Sequence, residues 1–164
     1  MLRSILKIAV VTLSIPLLMP LQAESRNKGK LPKEATPLKA AMVKAIFAGK
    51  TFTFTPVPTV YYNPDGTLIG FENYNGTESY IDGKWTIDGN EMCEERHIHG
   101  SDKTKLNQNS QCKRFYRVGN VIYGQYTEGW PDLLGDVSTG DEKIGKPGDA
   151  VTAKVEALRK KFGY

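Results

Sequence analysis

Little in this chain is suited to catalysis or to holding a metal. Its 164 residues include only two cysteines and two histidines. Any Ser-His-acid or Cys-His set would have to use His97 or His99, and no Gly-x-Ser-x-Gly elbow is present. No Gly-x-x-x-x-Gly-Lys-[Ser/Thr] loop is available to cradle phosphate. Asp136-x-Ser138-x-Gly140 opens like a calcium loop but lacks the glycine at position six and the closing glutamate. Charge of one sign is also scarce. The chain carries 22 basic and 18 acidic residues, net +4, with a pI near 9.0. No basic run is dense, so no nucleic-acid partner is expected.

Long apolar runs are missing after residue 23, which leaves no transmembrane segment in the remainder. Residues 1–23 differ. Arg3 and Lys7 precede an apolar stretch, Ile8–Leu18, and then Pro20-Leu21-Gln22-Ala23. This is the layout of a cleavable secretory signal, with Ala23 at −1. The stretch covers about 11 residues, where a membrane span needs roughly 20. Glu24 follows the cut where a lipid anchor would need cysteine, and no twin-arginine pair precedes the run. The expected form is therefore periplasmic or secreted and free of the membrane. Removing 23 of 164 residues leaves 141, enough for one domain, and takes the net charge from +4 to +2.

Export gives the cysteines a meaning. Cys93 and Cys112 are the only pair available, and an oxidising compartment favours a disulfide between them. A reactive thiol pair is the alternative, although the spacing is not Cys-x-x-Cys.

Residues 24–35 are polar and read as a flexible leader. Thr36-Pro37 then has the chemistry of a helix start, with Leu38, Ala41, Met42, Ala45 and Ile46 forming one stripe and Gly49 as the stop. From Lys50 the period becomes two. Strands are expected near Thr51–Thr55, Thr59–Tyr62, Thr67–Phe71, Glu78–Ile81, Lys84–Ile87, Glu91–His97, Gln111–Val118 and Val121–Tyr126. Asn63-Pro64-Asp65-Gly66, Asn75-Gly76, Asp82-Gly83, Asp88-Gly89-Asn90 and Gly119-Asn120 supply turn chemistry between them. Residues 127–149 show no periodicity. Asp149 caps a last helix, Ala150–Lys161, whose stripe is Val151, Val155 and Leu158 with Phe162 behind. The expected fold is α+β, mainly β. An N-terminal helix packs on a curved antiparallel meander of six to eight strands, a partly closed barrel or small sandwich, and a C-terminal helix ends the chain. The helix and sheet occupy 36–126, and the irregular segment and last helix occupy 127–164.

Several of these parts recur together in one known family. They are Gly49-Lys50-Thr51 after the helix, Asp65-Gly66-Thr67, the run Gly83-x-Trp85-x-Ile87-x-Gly89-x-x-x-Cys93, and Cys112-x-Arg114-x-Tyr116-Arg117. Over residues 38–126 the chain resembles an uncharacterised family of exported proteobacterial proteins, the domain-of-unknown-function family 995. The resemblance implies a bacterial periplasmic setting and brings no activity with it. The stretch between the cysteines and the C-terminal helix depart from the family pattern.

Three functional readings follow. The first is a non-catalytic binding or interaction module for a small ligand, a glycan or a periplasmic protein. Tyrosines are spread through the strands, and Trp85, Tyr80, Tyr116 and Tyr123 are the candidate contacts. The second is a zinc or copper site. On a strand, Glu95, His97 and His99 share one face and bring two imidazoles and a carboxylate together. The third is a small exported hydrolase using a carboxylate pair from Glu72, Glu78 or Asp82. No catalytic residue can be assigned from the sequence, and an enzyme is the least expected of the three.

Overall fold

The structure, a computed structural model, describes residues 29–54, 58–103 and 106–164. The expected signal (residues 1–23) and the start of the leader (24–28) lie outside them. The chain orders as β1 (Thr36–Pro37), α1 (Ala40–Phe47), β2 (Lys50–Thr53), β3 (Thr59–Tyr62), β4 (Thr67–Tyr74), β5 (Thr77–Asp88) and β6 (Glu91–His99). β7 (Leu106–Val118), β8 (Val121–Glu128), β9 (Val137–Thr139), α2 (Asp141–Ile144), β10 (Lys146–Pro147) and α3 (Thr152–Phe162) follow.

The strands form one antiparallel sheet in the order β10-β2-β3-β4-β5-β6-β7-β8-β9, with β1 added beside β7. From β2 to β9 it is a meander, as the short turns require. Asn75 and Gly76 both have positive φ (50° and 81°), the backbone of a two-residue hairpin turn. The sheet curls into a half-barrel. Its outermost strands, β9 and β10, are joined by the single turn α2.

Alternation along each strand sorts side chains to two faces. The inner face carries Phe52, Val60, Tyr62, Leu68, Ile81, Trp85, Met92 and Phe115, all buried. Helix α1 plugs one end of this trough with Val43, Ile46 and Phe47. The Phe47 ring stacks on Phe52 at 5.1 Å and meets Tyr62 and Phe115 edge-on at 5.2 and 5.5 Å. The outer face carries a second cluster. There Val151, Val155 and Leu158, at the start of α3 and within it, cover Tyr80, Tyr61, Ile69 and Phe71. The stripe expected for the last helix is the one that is buried.

Several boundaries differ from the sequence expectation, each for a physical reason. Thr36 and Pro37 do not open α1. They are extended and pair with Arg117 and Tyr116, filling the place beside β7 that β6 leaves where it begins at Glu91. The β7 backbone beyond Arg114 gains partners this way, and Leu38 N–H donates to the Phe115 carbonyl at 3.0 Å. The helix therefore starts at Ala40, and Ala41 and Ala45 of the expected stripe are exposed. At the other end of the chain, Asp149 does cap, accepting from the Val151 and Thr152 amides, but α3 begins at Thr152.

Asp82-Gly83 is no turn. It lies inside the continuous 12-residue strand β5, so two expected strands are one. Gly83 is there because the sheet bends over it. A Cβ at this position would collide with the Glu95 carbonyl of β6. The link between the strands expected at Glu91–His97 and Gln111–Val118 is shorter, since β6 runs to His99 and β7 starts at Leu106. The aperiodic segment 127–149 holds β9, α2 and β10, too short to show a period. They carry the sheet past the six to eight strands expected. A register shift between Cys112 and Lys113 leaves Thr127 as an extra residue on β8, a bulge that adds to the curl.

Cys93 and Cys112 are directly opposite on β6 and β7, bonded through sulfur, with Cα atoms 4.1 Å apart. The bond sits on the outer face. Replacing both cysteines with serine is expected to lower the unfolding free energy by roughly 3 kcal/mol, the loop-closure value for about 20 residues. Gly83→Ala should cost at least about 2 kcal/mol, because the clash is with backbone. Urea titration of both variants measures these losses.

Candidate functional site

Helix α1 fills only one end of the trough. At the other end the inner face stays open and encloses a cavity of about 780 Å³. Its surface follows from the alternation of strands β4 to β8. β4 contributes Glu72 and Tyr74, β6 contributes Arg96 and Ile98, and β7 contributes Asn107, Asn109 and Gln111. Tyr126 of β8 and Trp130 beyond it complete one wall, with Phe54 and Pro58 near the α1 end.

The floor is charged and buried. Arg96 is 7% exposed and Glu94 3%, and the guanidinium Nη2 lies 2.5 Å from Glu94 Oε1. Tyr62 donates its hydroxyl to Glu94 Oε2 at 2.8 Å and accepts from Arg96 Nη2 at 3.4 Å. Gln111 Nε2 also donates to Glu94. Burial, then the neighbouring Glu94 charge, pushes the Tyr62 phenol well above its ordinary value, so it stays a donor. Burial pulls the Arg96 pKa down, but Glu94 and Tyr62 raise it further, and the cation is kept. Among the described residues, the Arg96 Nε has no hydrogen-bond partner.

The cavity therefore joins two kinds of surface. Polar side chains line β6 and β7. Tyr74 and Trp130 are 59% and 58% exposed, unusual for rings of that size. Concave sites of a few hundred Å³ with a few convergent polar groups among apolar walls are the usual form of small-molecule pockets.

The residues singled out in the sequence lie elsewhere. Trp85 is in the filled core, 4% exposed, its Nε1 donating to the Asn63 carbonyl at 2.9 Å. It also borders a groove of about 340 Å³ beside Ala41 and Pro64. Tyr80 is on the outer face beneath α3, stacked on His99 at 4.5 Å with Arg159 over its ring. Tyr116 and Tyr123 face each other across β7 and β8, half-buried. Of the four, only these two are brought together, and none lines the 780 Å³ cavity.

His97 and His99 do share the outer face with Glu95 and Cys93. They converge on Asp82 of β5. His97 Nδ1 is 3.3 Å from Asp82 Oδ1, His99 Nε2 is 3.0 Å from Oδ2, and Arg159 of α3 reaches the same carboxylate at 3.6 Å. Glu95 Oε1 lies 3.4 Å from His97 Nε2. Among the described residues, no group of three or more His, Cys, Asp or Glu side chains is placed to hold a metal ion. The residues read as zinc or copper ligands, His97, His99 and Glu95, are engaged with Asp82 and with one another. With Arg159 the cluster fastens α3 to the sheet, as do Lys154 and Lys161 on Glu78.

The carboxylates also fail to pair across a cleft. Glu72 is on the inner face, whereas Glu78 and Asp82 are on the outer one. The residues that do form the cavity, among them Arg96, Asn107, Asn109, Gln111 and Trp130, escape a search for known motifs. One signal was present: the amides of Asn107, Asn109 and Gln111 recur at period two.

Fold and site together define a curled antiparallel half-barrel with a ligand-sized hollow on its inner face. A family model described as "Protein of unknown function (DUF995)" matches residues 14–130, and the chain belongs to this family. The match ends at Trp130 and contains every cavity residue named above. No curated protein and no solved structure matches the chain.

Burial raises the Glu72 carboxyl above its ordinary value, against an opposing pull from Arg96. A raised folded-state pKa means that ionisation costs stability as pH rises through it. Glu72→Gln should therefore increase the urea midpoint at pH 7. The gain should shrink as pH falls through the carboxylate range, where glutamate is protonated in both states. Equal midpoints at pH 7 would contradict this.

Proposed function

We propose that this protein is a non-catalytic binding protein that takes a small ligand into the open end of the half-barrel. One observation carries this reading: the inner face is filled by α1 at one end only. The unfilled end is lined by polar side chains and exposed rings in place of an apolar core. A buried donor without a partner, such as Arg96 Nε, costs about 1–3 kcal/mol. Such a group is better accounted for at a binding floor than in a purely structural core. Of the carboxylates expected for hydrolysis, Glu72 is alone on the inner face, and Glu78 and Asp82 are held in ion pairs beneath α3, which favours binding over turnover.

The place of action is part of the proposal. The pattern Arg3, Lys7, Ile8–Leu18 and Ala23, together with the Cys93–Cys112 bond, supports an exported protein of the bacterial periplasm or exterior. No helix among the described residues is long and apolar enough to cross a membrane. In a bacterial expression host, N-terminal sequencing of the periplasmic fraction is expected to begin at Glu24. Recovery only of an uncut cytoplasmic form would overturn the export reading.

Binding is tested by thermal shift against a library of metabolites, glycans and lipids. At least one compound class should raise the melting temperature by several degrees. Trp130→Ala should abolish that shift while moving the unliganded melting temperature little, since Trp130 is exposed. No stabilising compound, or turnover of substrate in a hydrolase panel, would refute the proposal.

A further inference from the structure

The chemistry of the cavity narrows the ligand class. Asn107 and Asn109 sit two residues apart on β7 and both line the hollow. Neither side chain has a hydrogen-bond partner among the described residues. A primary amide offers two donors and an acceptor at once. Gln111, next in the row, already donates to Glu94. Successive inner positions on a strand lie about 7 Å apart, the scale of one pyranose ring. The ligand that complements this row must donate and accept at closely spaced points. A carboxylate only accepts and an ammonium only donates, whereas ring hydroxyls do both.

The charges agree with a neutral ligand. Arg96, the cation of the floor, is already matched by Glu94 at 2.5 Å. Glu72 lines the same cavity, so an anion would enter next to its carboxylate. A cation would meet the Arg96 guanidinium. The aromatic walls supply the remaining need. Tyr74 extends from β4 and Trp130 follows β8, and in the sheet order β5, β6 and β7 run between them. Both rings are more than half exposed. Flat rings bind the C–H faces of sugars through dispersion and weak C–H···π contacts.

We infer that the open end of the half-barrel is a site for a short neutral oligosaccharide. Its hydroxyls bond to Asn107, Asn109 and the floor, and its ring faces lie on Tyr74 and Trp130. A volume of about 780 Å³ is within the range of pockets for ligands of this size. The inference rests on the binding reading above and adds the ligand class.

The test is an array of neutral and acidic oligosaccharides, followed by calorimetric titration of the best neutral binder. Laurate and choline are titrated as the anionic-apolar and cationic probes. A neutral oligosaccharide should bind with a micromolar to millimolar Kd. Asn109→Ala and Trp130→Ala should each weaken it about tenfold or more, with circular dichroism and melting temperature unchanged. If laurate, choline or only acidic glycans bind, with loss in Trp130→Ala, the saccharide class is wrong and the cavity reading stands. If no probe binds, both fall.

Discussion

The sheet keeps its curl because a short strap ties its two end strands together. β9 lies on β8 and β10 lies on β2, and only the residues of α2 and the glycines beside it separate them. A buried ion pair fastens this closure. Lys113 of β7 reaches both oxygens of Asp141 at 3.0 Å, and Ser138 adds a hydrogen bond to the same carboxylate. Two glycines give the strap its room. A side chain at Gly124 would strike the Lys113–Asp141 pair, and one at Gly145 would strike the Phe52 ring. Curl, core and cavity all depend on this short segment. If the strap were released, the trough would open toward a flatter sheet with more widely exposed edges.

Within that frame the two halves of the trough are built on opposite principles. The α1 end is an aromatic core, with Phe47, Phe52, Tyr62 and Phe115 in mutual contact. The other end holds a buried guanidinium, a buried carboxylate and a row of amides. A buried ion pair adds little net stability, because desolvation offsets the attraction. Apolar residues at positions 94 and 96 would have served a purely structural core at least as well. Tyr62 stands at the boundary: its ring belongs to the core and its hydroxyl to the polar floor.

Much of the fold was legible because its signals are local. Asn75-Gly76 and Gly119-Asn120 can hardly be anything but hairpin turns, and the stripe of Val151, Val155 and Leu158 has one period. Cys93 and Cys112 were the only possible pair. Thr36-Pro37 misled because its partner, β7, is some eighty residues away, and pairing there outweighs capping chemistry. Asp82-Gly83 misled because the same dipeptide that turns a chain also lets two strands approach closely. The site was the least legible part. Its inner face is polar, so the alternation that marks a core is silent there, and its rings come from β4, β8 and the segment after β8. Trp85 drew attention as an aromatic residue on an expected strand, and it is one of two tryptophans. The other, Trp130, is the one at the cavity.

The strap also sets an order of events. β2 is made well before β10, with most of the sheet between them. A chain that emerges from its N-terminus can build the β2–β8 meander, pair by neighbouring pair, well before residue 147 appears. Until then the edges of β2 and β8 have no partners and the outer cluster of Tyr61, Ile69, Phe71 and Tyr80 has no α3 to cover it. Protection thus arrives with residues 127–164, and the emerging chain is most vulnerable to sticking just before they appear.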